Sequence, residues 1–174
     1  MATSSVEPFL KVHNKSLKAG TCSSSFRACF LPVNAYICVA MKLDATILDA
    51  LTAAAKTSPR LRMNYDLRTT PADNSQRMLN ALEPGTVLPI HRHLATNEVV
   101  AILRGSAVQY FYDDSGALTE SVTIKAGSDC TAMIVEKGRW HRLESLESGT
   151  VILECKDGAY RPISPDELFD SAAR

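Results

Sequence analysis

The chain has 174 residues, a length for one domain and a tail, and 45% of them are apolar, enough to bury a core. Lys and Arg together number 19, as do Asp and Glu, so the formal net charge is zero. That balance points away from nucleic acid, which leaves a basic excess on its partners, and no charge run marks a membrane-surface patch.

Residues 1–40 hold many Ser, Lys and Cys residues and no sustained period of 2 or 3.6. They are expected to form an N-terminal tail, disordered or loosely docked; a true start at Met41 is the other reading. The apolar stretch 29–41 is broken by Pro32 and Asn34, is too short to span a bilayer, and sits too far along for a signal peptide. Cys22, Cys29, Cys38, Cys130 and Cys155 form no Cys-x-x-Cys pair and are odd in number. They read as reduced thiols of a cytoplasmic protein.

Residues 41–174 read as a single domain. Asp44 is a suitable N-cap, and Ile47, Leu48, Leu51 and Ala55 fall on one helical face. Lys56 suits the last turn and Ser58-Pro59 stops the helix, so a helix is expected over 44–56. After Pro59, short apolar runs alternate with turn signals at Pro84-Gly85, Arg104-Gly105, 113–116, Gly127, Gly138 and Ser148-Gly149. Strands are expected at 76–82, 86–92, 98–103, 107–112, 118–124, 130–135, 140–145 and 150–156. Eight short strands with a leading helix predict an all-β, double-sheet jelly-roll barrel.

The chain has four histidines, and three of them, His91, His93 and His141, fall in the β region. Residues i and i+2 of a strand share a face, so His91 and His93 can aim both rings into one interior. A turn after His93 would bring the Glu98 carboxylate back beside them. His141, about 40 residues beyond Glu98, can arrive by closure of the barrel. Three imidazoles and a carboxylate suit one divalent transition metal ion: Fe, Mn, Ni, Co, Cu or Zn. His13 lies in the tail and is given no role.

The spacing Gly85-x5-His91-x-His93-x4-Glu98-x6-Gly105 resembles the first cupin motif at all its fixed positions. Gly138-Arg139-Trp140-His141 resembles the second, with its Pro and Asn replaced. Gly85 and Gly138 stand where a tight turn enters a strand and a positive φ is cheap only for glycine. The strings SPRLRMN (58–64), QRMLNALEPG (76–85) and LECKDGAYRP (153–162) are similar to the WbuC family of cupin-fold metalloproteins, over about 41–162. Ile90 and Ala159 interrupt the family's strings, and Tyr65, Asp66 and Leu67 stand where many members carry a His.

The resemblance implies a cupin double-stranded β-helix, a bound metal, and a setting among surface-polysaccharide genes. A sugar or nucleotide-sugar is therefore the small-molecule ligand expected, with no nucleic acid and no membrane partner, and a homodimer left open. Arg62 and Arg77 are candidate substrate contacts because guanidinium pairs bidentately with carboxylate or phosphate. Glu154 and Tyr160 are further candidates. Arg92 alternates with the histidines and should point away from them. Two classes stay open: an enzyme of Lewis-acid isomerase or epimerase type or a dioxygenase, and a non-catalytic metal-dependent binder.

Overall fold

Asp44 accepts hydrogen bonds from the Thr46 amide (3.1 Å) and the Ile47 amide (3.4 Å) and so opens α1, Ala45–Thr57. At the other end the Ser58 amide returns to the carbonyls of Ala54 and Ala55, and the chain leaves in an extended conformation before Pro59. The apolar face predicted for this helix, Leu48, Leu51 and Ala55, is buried against Leu79, Ala81 and Val151. The computed structural model describes residues 41–169. The expected tail at 1–40 lies outside the described residues.

Eight strands follow: β1 Arg62–Asp66, β2 Ser75–Leu82, β3 Glu98–Arg104, β4 Ser106–Tyr112, β5 Leu118–Lys125, β6 Ala132–Val135, β7 Trp140–Ser145 and β8 Thr150–Asp157. They form a five-stranded sheet in the order β1-β2-β8-β3-β6 and a three-stranded sheet in the order β5-β4-β7. Every pairing is antiparallel. This is the all-β jelly roll with a short N-terminal helix that the turn spacing predicts.

The two sheets enclose Phe111, Ile124, Val135, Ala107 and Ile102, each no more than 5% exposed. Burying a side chain of the Ile or Phe kind contributes about 1.5–3 kcal/mol, so this cluster fastens one sheet to the other. Leu82, Val100, Leu143 and Ile152 belong to the same cluster and also form part of the wall of a cavity between the sheets. The five-stranded sheet thus has two working faces. One carries α1; the other carries the cavity.

Two elements differ from the sequence expectation. The stretch 86–92 is no strand: its ladder contacts are two isolated bridges at His91, one to His141 of β7 and one to Leu168, and the chain there runs beside the sheets. Pro89 has no amide to donate, which suits a path beside a sheet rather than within one. Conversely, β1 pairs along its whole length with β2, although its sequence Arg-Met-Asn-Tyr-Asp shows no apolar period. Gly105 makes the tight β3–β4 connection at φ +74°, and a Cβ there would lie 2.5 Å from Thr150 Oγ1 and 2.9 Å from Thr150 Cα. Gly85 and Gly138 also adopt positive φ, +90° and +83°. Among the described residues no helix is long and apolar enough to cross a membrane.

Candidate metal centre

The segment bearing His91 and His93 borrows its backbone order from later parts of the chain. His91 and His141 exchange amide–carbonyl hydrogen bonds of 3.0 and 2.8 Å. The Arg92 amide donates to the Glu167 carbonyl (2.9 Å), the Leu94 amide to Glu167 Oε1 (3.0 Å), and the Phe169 amide to the Ile90 carbonyl (3.0 Å). Glu167 is 1% exposed and receives both Arg161 guanidinium nitrogens at 2.6 Å. Its hydrogen bonds from Arg161 hold its carboxyl well below the usual carboxylate range, so it stays an acceptor for the Leu94 amide. Outside the centre, Arg92 packs over Trp140, 4.1 Å from the ring centroid, and points away from the two histidines.

Three rings and one carboxylate meet at this point. The His91, His93 and His141 ring centroids are 4.3–5.4 Å apart. One ligand atom from each, with one from Glu98, falls within 4.8 Å of all the others. His91 Nδ1 lies 3.1 Å from the Pro89 carbonyl and His141 Nδ1 2.8 Å from the Arg139 carbonyl. Each Nδ1 can donate there, which leaves Nε2 as a lone pair turned inward. His141 Nε2 is buried and makes no hydrogen bond among the described residues, its polar neighbour being Glu98 Oε2 at 3.5 Å. Two constrained rings and an orphaned buried nitrogen fit a divalent cation, and the donor set suits a transition metal.

Burial works to raise the Glu98 carboxyl, but the His141 and His93 rings and the Lys156 charge outweigh it and hold it well below the usual range. Burial, with the nearby His141 ring, brings the His91 imidazole down to about 4. Both groups are therefore in their ligating forms at neutral pH.

Strand alternation builds the wall beside them. On β8, Ile152, Glu154 and Lys156 face the cavity, while Val151 packs on the helix side. Glu98 stands directly opposite Lys156 in the β3–β8 register. Lys156 Nζ lies 2.6 Å from Glu154 Oε1, 3.3 Å from His93 Nε2 and 4.0 Å from Glu98 Oε2. Asn80 Nδ2 donates to Glu154 Oε2 at 2.8 Å. Burial, then the Glu98 charge, pushes the Glu154 carboxyl up to about 7 against the pull of Lys156.

The substrate candidates fall in different places. Glu154 and Arg62 line the cavity, which has a volume of about 340 Å³; one Arg62 guanidinium nitrogen donates to the Val87 carbonyl at 2.9 Å. Arg77 does not line it. Being odd-numbered on β2 it shares the face of Leu79 and Ala81, not of Met78 and Asn80, and pairs with Asp73 at 2.9 Å. Tyr160 is 53% exposed and lines a neighbouring cavity of about 300 Å³, whose wall of His93, Glu154 and Lys156 is shared with the first. Lys156, Gln109 and Glu167 had no place in the sequence reading. Lys156 and Gln109 could have been found by carrying the inward alternation of Glu154 and Phe111 two residues further along each strand.

Fold and centre together give a jelly-roll barrel of the cupin fold with a three-histidine, one-glutamate group that could hold a metal ion. Residues 43–124 match the family described as "Domain of unknown function (DUF6016)". No curated protein matches the chain. Among solved structures, the capsular polysaccharide assembling protein CapF from Staphylococcus aureus is similar with 21% identity and a TM-score of 0.54, over 64% of this chain and 32% of that one. Oxalate oxidase in complex with the substrate analogue glycolate is similar with 14% identity and a TM-score of 0.50, over 63% of this chain and 57% of that one. The chain thus spans about a third and somewhat over half of those two proteins, and at such identities the likeness is one of fold.

Proposed function

We propose that the protein is a metal-dependent cupin of the WbuC type, which binds a sugar-like, oxygen-rich small molecule and acts on it as a Lewis-acid isomerase or epimerase. The observation that carries this reading is the placing of four ligand atoms within 4.8 Å of one another on the wall of a cavity of about 340 Å³. Cavities of that size suit small ligands. A divalent ion held by His91, His93, Glu98 and His141 would supply electrophilic polarisation of a ligand oxygen. The chain's own groups would do the rest. Glu154, facing the same cavity, is placed to hold or pass a proton, with Asn80 fixing one carboxyl oxygen and Lys156 the other. Arg62, which lines the cavity, would pair with an anionic group of the ligand. The sugar-like class is supported by the WbuC-type strings and by the capsular role printed for CapF.

Reconstitution with Co(II) followed by titration with azide or a sugar acid tests the reading. A shifted visible spectrum is expected as an exogenous ligand joins the ion. A four-coordinate spectrum that saturating ligand leaves unchanged would mark a closed, structural site and end the proposal.

A further inference from the structure

Gln109 sits in the middle of β4, on the inward face between Ala107 and Phe111, and is 1% exposed. It lines the cavity, yet its amide nitrogen is buried with no hydrogen-bond partner among the described residues. Its direct cross-strand neighbours are Val122 and Leu143, and the nearby wall includes Val100 and Ile152. Packing alone would favour Leu or Met here. An unpaired buried amide costs on the order of 1–3 kcal/mol, so the position needs a partner from whatever fills the cavity. Asn80, the amide on the opposite sheet, differs: it is already committed to Glu154.

The register sets Gln109 beside one candidate ligand of the metal centre. Phe111 pairs with His141 and Gln109 with Leu143, so Gln109 and His141 are diagonal neighbours on one face. Such neighbours have backbones about 7–8 Å apart, within reach of one small molecule. A molecule touching both the four-residue group and the Gln109 amide must carry an oxygen beyond those at the group.

We propose that Gln109 is the second anchor of the ligand, donating its amide to a distal oxygen of a hydroxy acid or sugar acid whose proximal oxygens lie at the His91, His93, Glu98 and His141 group. This rests on the proposed function and narrows its ligand to molecules with an oxygen distal to those that reach the four-residue group.

The test compares wild type with Gln109→Met, a near-isosteric change, both loaded with Co(II). Each is titrated with glycolate, which has no oxygen beyond a carboxylate and its adjacent hydroxyl, and with tartrate, which adds a distal hydroxyl and carboxylate. Metal content is measured before and after. Equal metal content, unchanged glycolate affinity and a loss of about ten- to a hundredfold in tartrate affinity are expected. Tartrate binding equally well to the variant while glycolate still shifts the spectrum would overturn the anchor and leave the proposed function standing. Failure of both probes on wild type would overturn both. Loss of metal from Gln109→Met would place Gln109 in the support of the ion and not of the ligand. Gln109→Leu serves the same comparison if the Met variant does not fold.

Discussion

In the metal-free protein, two buried groups titrate in opposite senses between pH 5 and 6.5, and Glu154→Gln should expose one of them. His91 is held down at about 4 when folded, against an ordinary 6.5. The unfolded chain therefore takes up a proton that the folded one refuses, and this contribution to stability is full above pH 6.5 and is lost as the pH falls towards 4. Glu154, its side chain 16% exposed, is held up at about 7 against an ordinary 4.5. Here the folded chain keeps a proton that the unfolded one releases, so its contribution is full below pH 4.5 and is lost as the pH rises through 7. Over pH 5 to 6.5 each effect amounts to about 1.5 kcal/mol, and they cancel. Chelator-treated wild type should show a nearly level stability across this window. Glu154→Gln removes the falling half, so the variant should be about 1.5 kcal/mol less stable at pH 5 than at 6.5, a shift of about 0.5–1 M in the urea midpoint. Trp140, the one tryptophan and 5% exposed, reports unfolding by fluorescence. A variant as level as wild type would refute the opposing pair, as would a wild type that itself loses the full amount.

Purified protein should carry close to one transition-metal ion per chain, and His91→Ala combined with His93→Ala should abolish it; full metal content in the double variant would remove the site. Gly105→Ala should lower the melting temperature by several degrees, because the φ of +74° and the Cβ contact at 2.5 Å with Thr150 Oγ1 together cost on the order of 1–3 kcal/mol. An unchanged melting curve would show that the β3–β4 connection can shift at no cost. A chain beginning at Met41 should melt at the same temperature and hold the same metal as the full chain; a drop of several degrees would mean that residues 1–40 contribute to the domain's stability.

The helix was legible because its cap, its apolar face and its stop are all local in the sequence. Most strands were legible because turn chemistry brackets them. The candidate metal ligands were legible from spacing, but the reason first given for His91 and His93 was incomplete. They do not share a regular strand; a bridge at His91 and the buried Glu167 direct the segment instead. That support comes from His141 and from Glu167, the latter more than 70 residues further on, which local pattern cannot reach. β1 was invisible because its partner β2 supplies the pairing and its own sequence carries no period. Arg77 shows another limit. Alternation separates the two faces of a strand, but it does not say which face closes around a cavity. Arg77 reads as a ligand contact and lies on the face of Leu79 and Ala81, away from the cavity.

The dependence of residues 90–94 on His141, Glu167 and Phe169 makes the candidate metal centre a property of distant parts of the chain. The strand pairings of both sheets use none of the residues 167–169, whereas the segment bearing His91 and His93 is fastened to them. A chain clipped before Glu167 should therefore keep a barrel that is largely built yet gathers an ion poorly.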